Sequence, residues 1–136
     1  MKKPKLVIIL ILSLCFVSFM PHAKVTAKNA SCPIYLYASN QAGTSARIYR
    51  ITWYSSGSNY SQVVNLNNGQ STLVSTYVDA SNEISVRVVN GSFNNVTIED
   101  QNGQVLYSLP YDASTTYYWF YNVQFTNCFT NTIVLH

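Results

Sequence analysis

The sequence predicts an all-β protein: one antiparallel β-sandwich of roughly seven to nine strands, Ig-like or jelly-roll-like, behind an N-terminal secretory signal peptide. Three features carry this expectation. Residues of high strand propensity (Tyr, Thr, Val, Ile, Phe, Trp) dominate the chain after its leader, where Ala and Leu are sparse. Apolar residues recur every second position and nowhere sustain the helical period of roughly 3.6. Asn68-Gly69, Asn90-Gly91 and Asn102-Gly103 punctuate these runs, and both residues of that dipeptide tolerate the positive φ of a tight turn. The length of 136 residues suits a single domain, and 48% hydrophobic content with five Gly and four Pro excludes a disordered, collagen-like or coiled-coil chain.

The leader comes first. Met1-Lys2-Lys3-Pro4-Lys5 is cationic, and Leu6 to Met20 is apolar apart from Ser13, Cys15 and Ser18. That run of about fifteen residues is shorter than the roughly 20 needed to span a bilayer and matches a signal peptide. Val25-Thr26-Ala27 places small residues for cleavage after Ala27, and Ala23 is the second candidate site. The expected organisation is therefore a signal over 1–27 and a β-domain over 28–136. Without the leader the cations are Lys28, Arg47, Arg50 and Arg87 against Asp79, Glu83, Glu99, Asp100 and Asp112, a balance of −1. The formal charge of +3 belongs to the leader, and nucleic acid is not an expected partner.

Cys32 and Cys128 remain, one near each end of the domain. Two cysteines in an exported chain are expected to pair, and closing so long a loop stabilises the fold by roughly 4–5 kcal/mol in the chain-entropy description. Between them, strands are expected near 34–39, 46–55, 60–67, 71–78, 83–89, 96–100, 105–109, 116–126 and 129–135. No connection is long enough for a helix, so the pairing is expected to be antiparallel throughout.

Chemistry is constrained by what is missing. The histidines are His22, in the leader, and His136, the last residue, so a Ser-His-Asp or Cys-His site built from interior strands is not expected. Glu99 and Asp100 are adjacent on one strand and point to opposite faces, while Asp79 and Glu83 flank one turn and Asp112 sits in another, which gives no paired carboxylates for glycoside hydrolysis. No enzyme activity is expected. Asp79, Ser81, Asn82 and Glu83 crowd oxygen ligands into one short segment, a candidate calcium site against the simpler reading of an ordinary turn. No other cofactor is indicated.

The most distinctive segment is Tyr117-Tyr118-Trp119-Phe120-Tyr121, five aromatics that must populate both faces of a strand. Strict alternation puts Tyr117, Trp119, Tyr121, Val123 and Phe125 on one face, expected to be core, and Tyr118 and Phe120 on the other. With Arg50 and Tyr54, on the face opposite Trp53, and with Tyr111, they form the candidate ligand-binding set, since exposed rings among Asn, Gln and Thr suit sugar stacking.

The domain carries fourteen Asn, fourteen Ser and ten Thr against nine charged residues, a surface with little colloidal repulsion. Asn29, Asn59, Asn90 and Asn95 head glycan-acceptor sequons. These features point to a secreted or cell-surface, non-catalytic structural or adhesive module. One form of it assembles through exposed sheet edges, with Phe129 to Leu135 as a candidate donor strand. The alternatives are a carbohydrate-binding module using the exposed aromatics, and a small secreted inhibitor or effector that binds a protein partner. Expected partners are an extracellular glycan or other protein subunits.

Overall fold

Short alternating runs form strands because each can bury one face. In the computed structural model, which describes residues 33–125 and 130–136, nine of them do so. They are β1 (Tyr35–Asn40), β2 (Arg47–Ser55), β3 (Ser58–Leu66), β4 (Ser71–Ser75), β5 (Ser81–Val89), β6 (Asn95–Glu99), β7 (Val105–Pro110), β8 (Tyr117–Gln124) and β9 (Thr130–Leu135). The strands make two sheets, β4-β1-β9-β6-β7 and β3-β2-β5-β8, and the described residues contain no helix. The expected leader and both Cys32 and Cys128 lie outside the described residues.

The core is the apolar layer between the sheets. Leu36, Val96, Ile98, Ile133 and Leu135 from the five-stranded sheet meet Ile48, Ile51, Ile84, Val86 and Val123 from the four-stranded sheet, all of them fully buried. Each such side chain contributes about 1.5–3 kcal/mol relative to exposure. The fold is all-β and sandwich-like.

Pairing departs from expectation in one place: β1 and β9 run parallel, Tyr35 opposite Thr130 through Asn40 opposite Leu135. Parallel strands need a long connection, and here the connection is the remainder of the domain. β9 lies between β1 and β6, so the last strand completes its own sheet and is not available for donation to a neighbour.

Only β2–β3 and β6–β7 are hairpins; every other consecutive connection passes from one sheet to the other. Asn102-Gly103 closes β6–β7 as expected, but Asn68-Gly69 and Asn90-Gly91 make corners between sheets. A positive φ permits any sharp reversal, within a sheet or between two. At the second corner Gly91 has φ +106°, and a Cβ there would stand 2.6 Å from Ser45 Oγ and 3.1 Å from Ala46 N. The tight β2–β3 turn is Ser56-Gly57, both residues at positive φ, the geometry of a two-residue hairpin.

The four strands at the sheet margins share a device. β3, β4, β7 and β8 each carry one residue more than the stretch of partner they face, giving a bulge in every edge strand. Bulges bend and twist an edge and spoil it as a template for further pairing.

Asn40 fastens one end of the sandwich. It is wholly buried, its Nδ2 donates to the carbonyls of Ala46 (2.8 Å) and Leu66 (3.0 Å), and its Oδ1 accepts from the Ala42 N–H (3.1 Å). One side chain thereby holds the exit of β1, the entry to β2 and the end of β3. Asn40→Ala strands buried carbonyls and is expected to lower unfolding free energy by about 2–4 kcal/mol in denaturant titration, far more than a surface Asn such as Asn102.

Candidate functional site

Which face of β8 turns outward is settled by a bulge. Between the pairs Asn82–Val123 and Ile84–Phe120, β8 spends three steps where β5 spends two, and Asn122 takes up a left-handed φ of 53°. The extra residue reverses the alternation. Val123 and Phe125 are core, as their character demands, but beyond the bulge the core residues are Phe120 and Tyr118, each only 4% exposed. Trp119, expected inside, is 46% exposed, with Tyr117 at 42% and Tyr121 at 61%. The outward set on β8 is therefore Tyr117, Trp119 and Tyr121, not Tyr118 and Phe120.

Tyr118 tolerates burial because its hydroxyl is satisfied: it donates to the Asp112 carbonyl (3.1 Å) and accepts from the Asp112 N–H (3.2 Å). Its ring meets Phe93 edge-on at 5.2 Å, and Phe93 meets Tyr111 edge-on at 5.0 Å. Tyr111 is exposed, but it stands in the β7–β8 corner, where its N–H donates to the Asn94 carbonyl, and not on the sheet face.

A second bulge acts on β2. Ile48 pairs with Val88 and Arg50 with Arg87, which leaves Tyr49 as the extra residue. Ile48 and Ile51 both point inward, so Tyr49 and Arg50 project together from the outer face, and Tyr54 joins them there while Trp53 is buried. Arg50 and Tyr54 thus stand on the face expected for them.

The outer face of the four-stranded sheet reads in rows across β3, β2, β5 and β8. One row is Val63, Arg50, Arg87 and Tyr117; the next is Ser61, Thr52, Ser85 and Trp119. Small Thr52 and Ser85 make a low floor beside the Trp119 ring. Trp119 and Tyr121 lie nearly parallel, 12° apart with centroids separated by 6.1 Å. Beyond them Tyr54, Asn59, Ser81, Asn82, Glu83 and Asn122 surround a polar cleft of about 310 Å³. At the opposite end the Arg87 guanidinium sits between the rings of Tyr49 (5.2 Å) and Tyr117 (5.4 Å).

The segment nominated for calcium is committed elsewhere. Asp79 Oδ2 accepts from the Ser56 N–H (2.9 Å), fastening the β2–β3 turn. Asn82 is buried; its Oδ1 accepts from the Tyr54 N–H and its Nδ2 donates to the Tyr54 carbonyl. Ser81 Oγ accepts from Gln124 Nε2 (3.0 Å), which leaves Glu83 exposed on the outer face. No group of three or more His, Cys, Asp or Glu among the described residues is placed to hold a metal.

One cluster of titratable groups escaped sequence reasoning. On the five-stranded sheet His136 Nε2 lies 2.8 Å from Glu99 Oε1 and 3.1 Å from Thr97 Oγ1, and the Thr97 hydroxyl donates to Glu99 at 2.7 Å. A relay needs the acid on one ring nitrogen and the hydroxyl on the other. Here both contact the same nitrogen, and Thr97 is buried, so the arrangement is a closed hydrogen-bonded knot. Nothing local in the sequence signals it, since the residues come together only through β6–β9 pairing.

The two carboxyls that titrate away from their ordinary value are turn caps. Asp100 is held below 3.8, first by the Gln104 N–H and further by Asn102; Asp112 is held below 3.8 by the hydroxyl and N–H of Ser114. A lowered folded-state value means that stability is complete above the ordinary value and is lost as pH falls through the lowered one. Asp100→Asn with Asp112→Asn is expected to flatten the acid limb of a stability–pH profile below pH 3.8, the variant starting lower at neutral pH, where the ionised caps act, and converging with the parent in acid, measured by thermal unfolding across pH.

Comparison of the chain with models of protein families, with curated proteins and with solved structures finds no match.

Proposed function

We propose that this protein is an extracellular, non-catalytic adhesive module that binds glycans through the outer face of its four-stranded sheet. The observation that carries the reading is the exposed row Tyr117, Trp119 and Tyr121 on β8, with Tyr54 across the same face. A folded domain whose core is already filled by Phe120, Tyr118 and Val123 has no internal use for three more large rings on that strand. Contiguous exposed aromatic surface of this kind marks a contact site. Flat apolar rings stack on the apolar faces of sugars, and the neighbouring Asn59, Asn122, Ser81 and Glu83 supply hydrogen-bonding groups for hydroxyls.

Face and edge compete as the adhesive surface. β3 and β8, the margins of this sheet, contain no charged residue, which favours edge pairing. The bulge in each edge strand opposes it, and the face carries the larger rings. The non-catalytic part of the reading is supported by the shared nitrogen of the Thr97–His136–Glu99 knot and by the use of Asp79, Asp100 and Asp112 in turns.

Export is supported by the cationic and apolar leader, and by a covalent pairing that we propose between Cys32 and Cys128. Cys32 precedes Tyr35 by three residues and Cys128 precedes Thr130 by two, and Tyr35 and Thr130 are partners on parallel strands. Intact mass of the exported protein is expected to fall by two hydrogens relative to the reduced chain, and reduction is expected to cost about 2–5 kcal/mol of stability. An unchanged mass with two reactive thiols would overturn the pairing.

The glycan reading is tested by affinity electrophoresis through a panel of polysaccharides. Retardation by at least one is expected, and Trp119→Ala and Tyr121→Ala are each expected to weaken it about tenfold. Their circular dichroism and melting should match the parent, since neither ring is in the core. Retardation by none, or retardation indifferent to both substitutions, would overturn the reading.

A further inference from the structure

We infer that the ligand is an anionic glycan, whose carboxylate or sulfate groups are taken by an arginine cluster at one end of the aromatic row; the inference rests on the glycan reading above. The domain has a net charge of −1, yet every arginine it contains, Arg47, Arg50 and Arg87, stands on this one face. Arg50 and Arg87 are direct cross-strand partners. Like charges placed opposite one another on adjacent strands repel, and among the described residues no carboxylate forms an ion pair with either. The nearest acid on the face is Glu83, four residues along β5 from Arg87, or about 13 Å at the rise of a strand. No carboxylate of the described chain therefore offsets the repulsion, and an anion bound at this pair would relieve it.

Two further observations are independent of that pairing. The Nε atoms of Arg47 and Arg87 are buried and have no hydrogen-bond partner. A buried cationic donor without an acceptor is unfavourable, and an oxyanion is the acceptor that fits a guanidinium best. Beside them is a cavity of about 270 Å³ lined by Arg47, Tyr49, Arg87, Val89 and Asn90. The Arg87 guanidinium is also held in place, between Tyr49 and Tyr117, before any ligand arrives. This is the role of the β2 bulge: by turning both Tyr49 and Arg50 outward it supplies one wall of the clamp and adds a further cation to the face beside the cavity that Arg47 and Arg87 line. Tyr117 is the other wall and also the first ring of the aromatic row, so acidic substituents and sugar rings of one chain can be engaged at once.

The test holds the sugar constant and varies the charge. Neutral dextran, carboxymethyl-dextran and dextran sulfate share a backbone and are compared by affinity electrophoresis of the whole exported protein. At least one acidic polymer is expected to bind about tenfold more tightly than neutral dextran, with the advantage shrinking as sodium chloride is raised. Whichever acidic polymer binds more tightly identifies carboxylate or sulfate as the preferred group. Arg50→Gln, at an exposed position, and Arg87→Gln are each expected to remove most of that advantage. Equal binding of all three polymers, or an acidic advantage untouched by both substitutions, would overturn the anion assignment and leave the aromatic row standing. Loss of all retardation across acidic and neutral polysaccharides would remove both.

Discussion

One extra residue in β8 decides what this molecule presents to its surroundings. Asn122, in the left-handed region, lets the strand bury Val123 and Phe125 on one side of the bulge and Phe120 and Tyr118 on the other. Without it the same strand would have to choose between burying Val123 and burying Phe120. Asn suits this place because its short polar side chain makes a positive φ less unfavourable than it is for other non-glycine residues. The aromatic row takes its outward position from that irregularity, and Asn122 itself lines the polar cleft that Glu83 and Asn59 also border.

The same device, used elsewhere, separates two tasks. On β2 the added Tyr49 gathers charge and ring onto the outer face. On the margins β3, β4, β7 and β8 it disturbs regular pairing at edges that have few charges to protect them. A surface rich in Asn, Ser and Thr can then remain uncharged without offering long, flat templates. The two outer faces differ accordingly. On the five-stranded sheet Thr97, Glu99 and His136 close on one another, while the four-stranded sheet leaves the Nε atoms of Arg47 and Arg87 without an acceptor and three rings of β8 exposed.

Much of the fold was legible in the sequence. Alternation located all nine strands to within a few residues, because each segment has one apolar face and no competing helical period. The opposite faces of Trp53 and of Arg50 with Tyr54 on β2 followed directly. What could not be read were the breaks in alternation. A bulge adds one residue and inverts every assignment beyond it, so a strand that is aromatic on both faces, such as β8, gives no compositional warning. That is why Trp119 and Phe120 exchange places relative to expectation. The expected Cys32–Cys128 tie placed the first strand beside the last ones, but the parallel direction of β1 and β9 was hidden, since strand direction in pairs distant in sequence leaves no local mark. Asn40 and the Thr97–His136–Glu99 knot were missed for the same reason: their partners are remote in sequence or are backbone groups.

The parallel β1–β9 pair has a mechanical consequence. The chain enters β1 beside the start of β9 and leaves β9 at the far end of the pair. Tension between those two points acts along the strands; with the proposed Cys32–Cys128 bond in place it passes through sulfur straight into β9, and the pairs from Tyr35–Thr130 to Asn40–Leu135 take the load, together and lengthwise, only when that bond is reduced. A body tethered at one extremity and pulled at the other would thus oppose the force first with a covalent bond and, once reduced, with a ladder of hydrogen bonds loaded in shear, the direction in which it resists most.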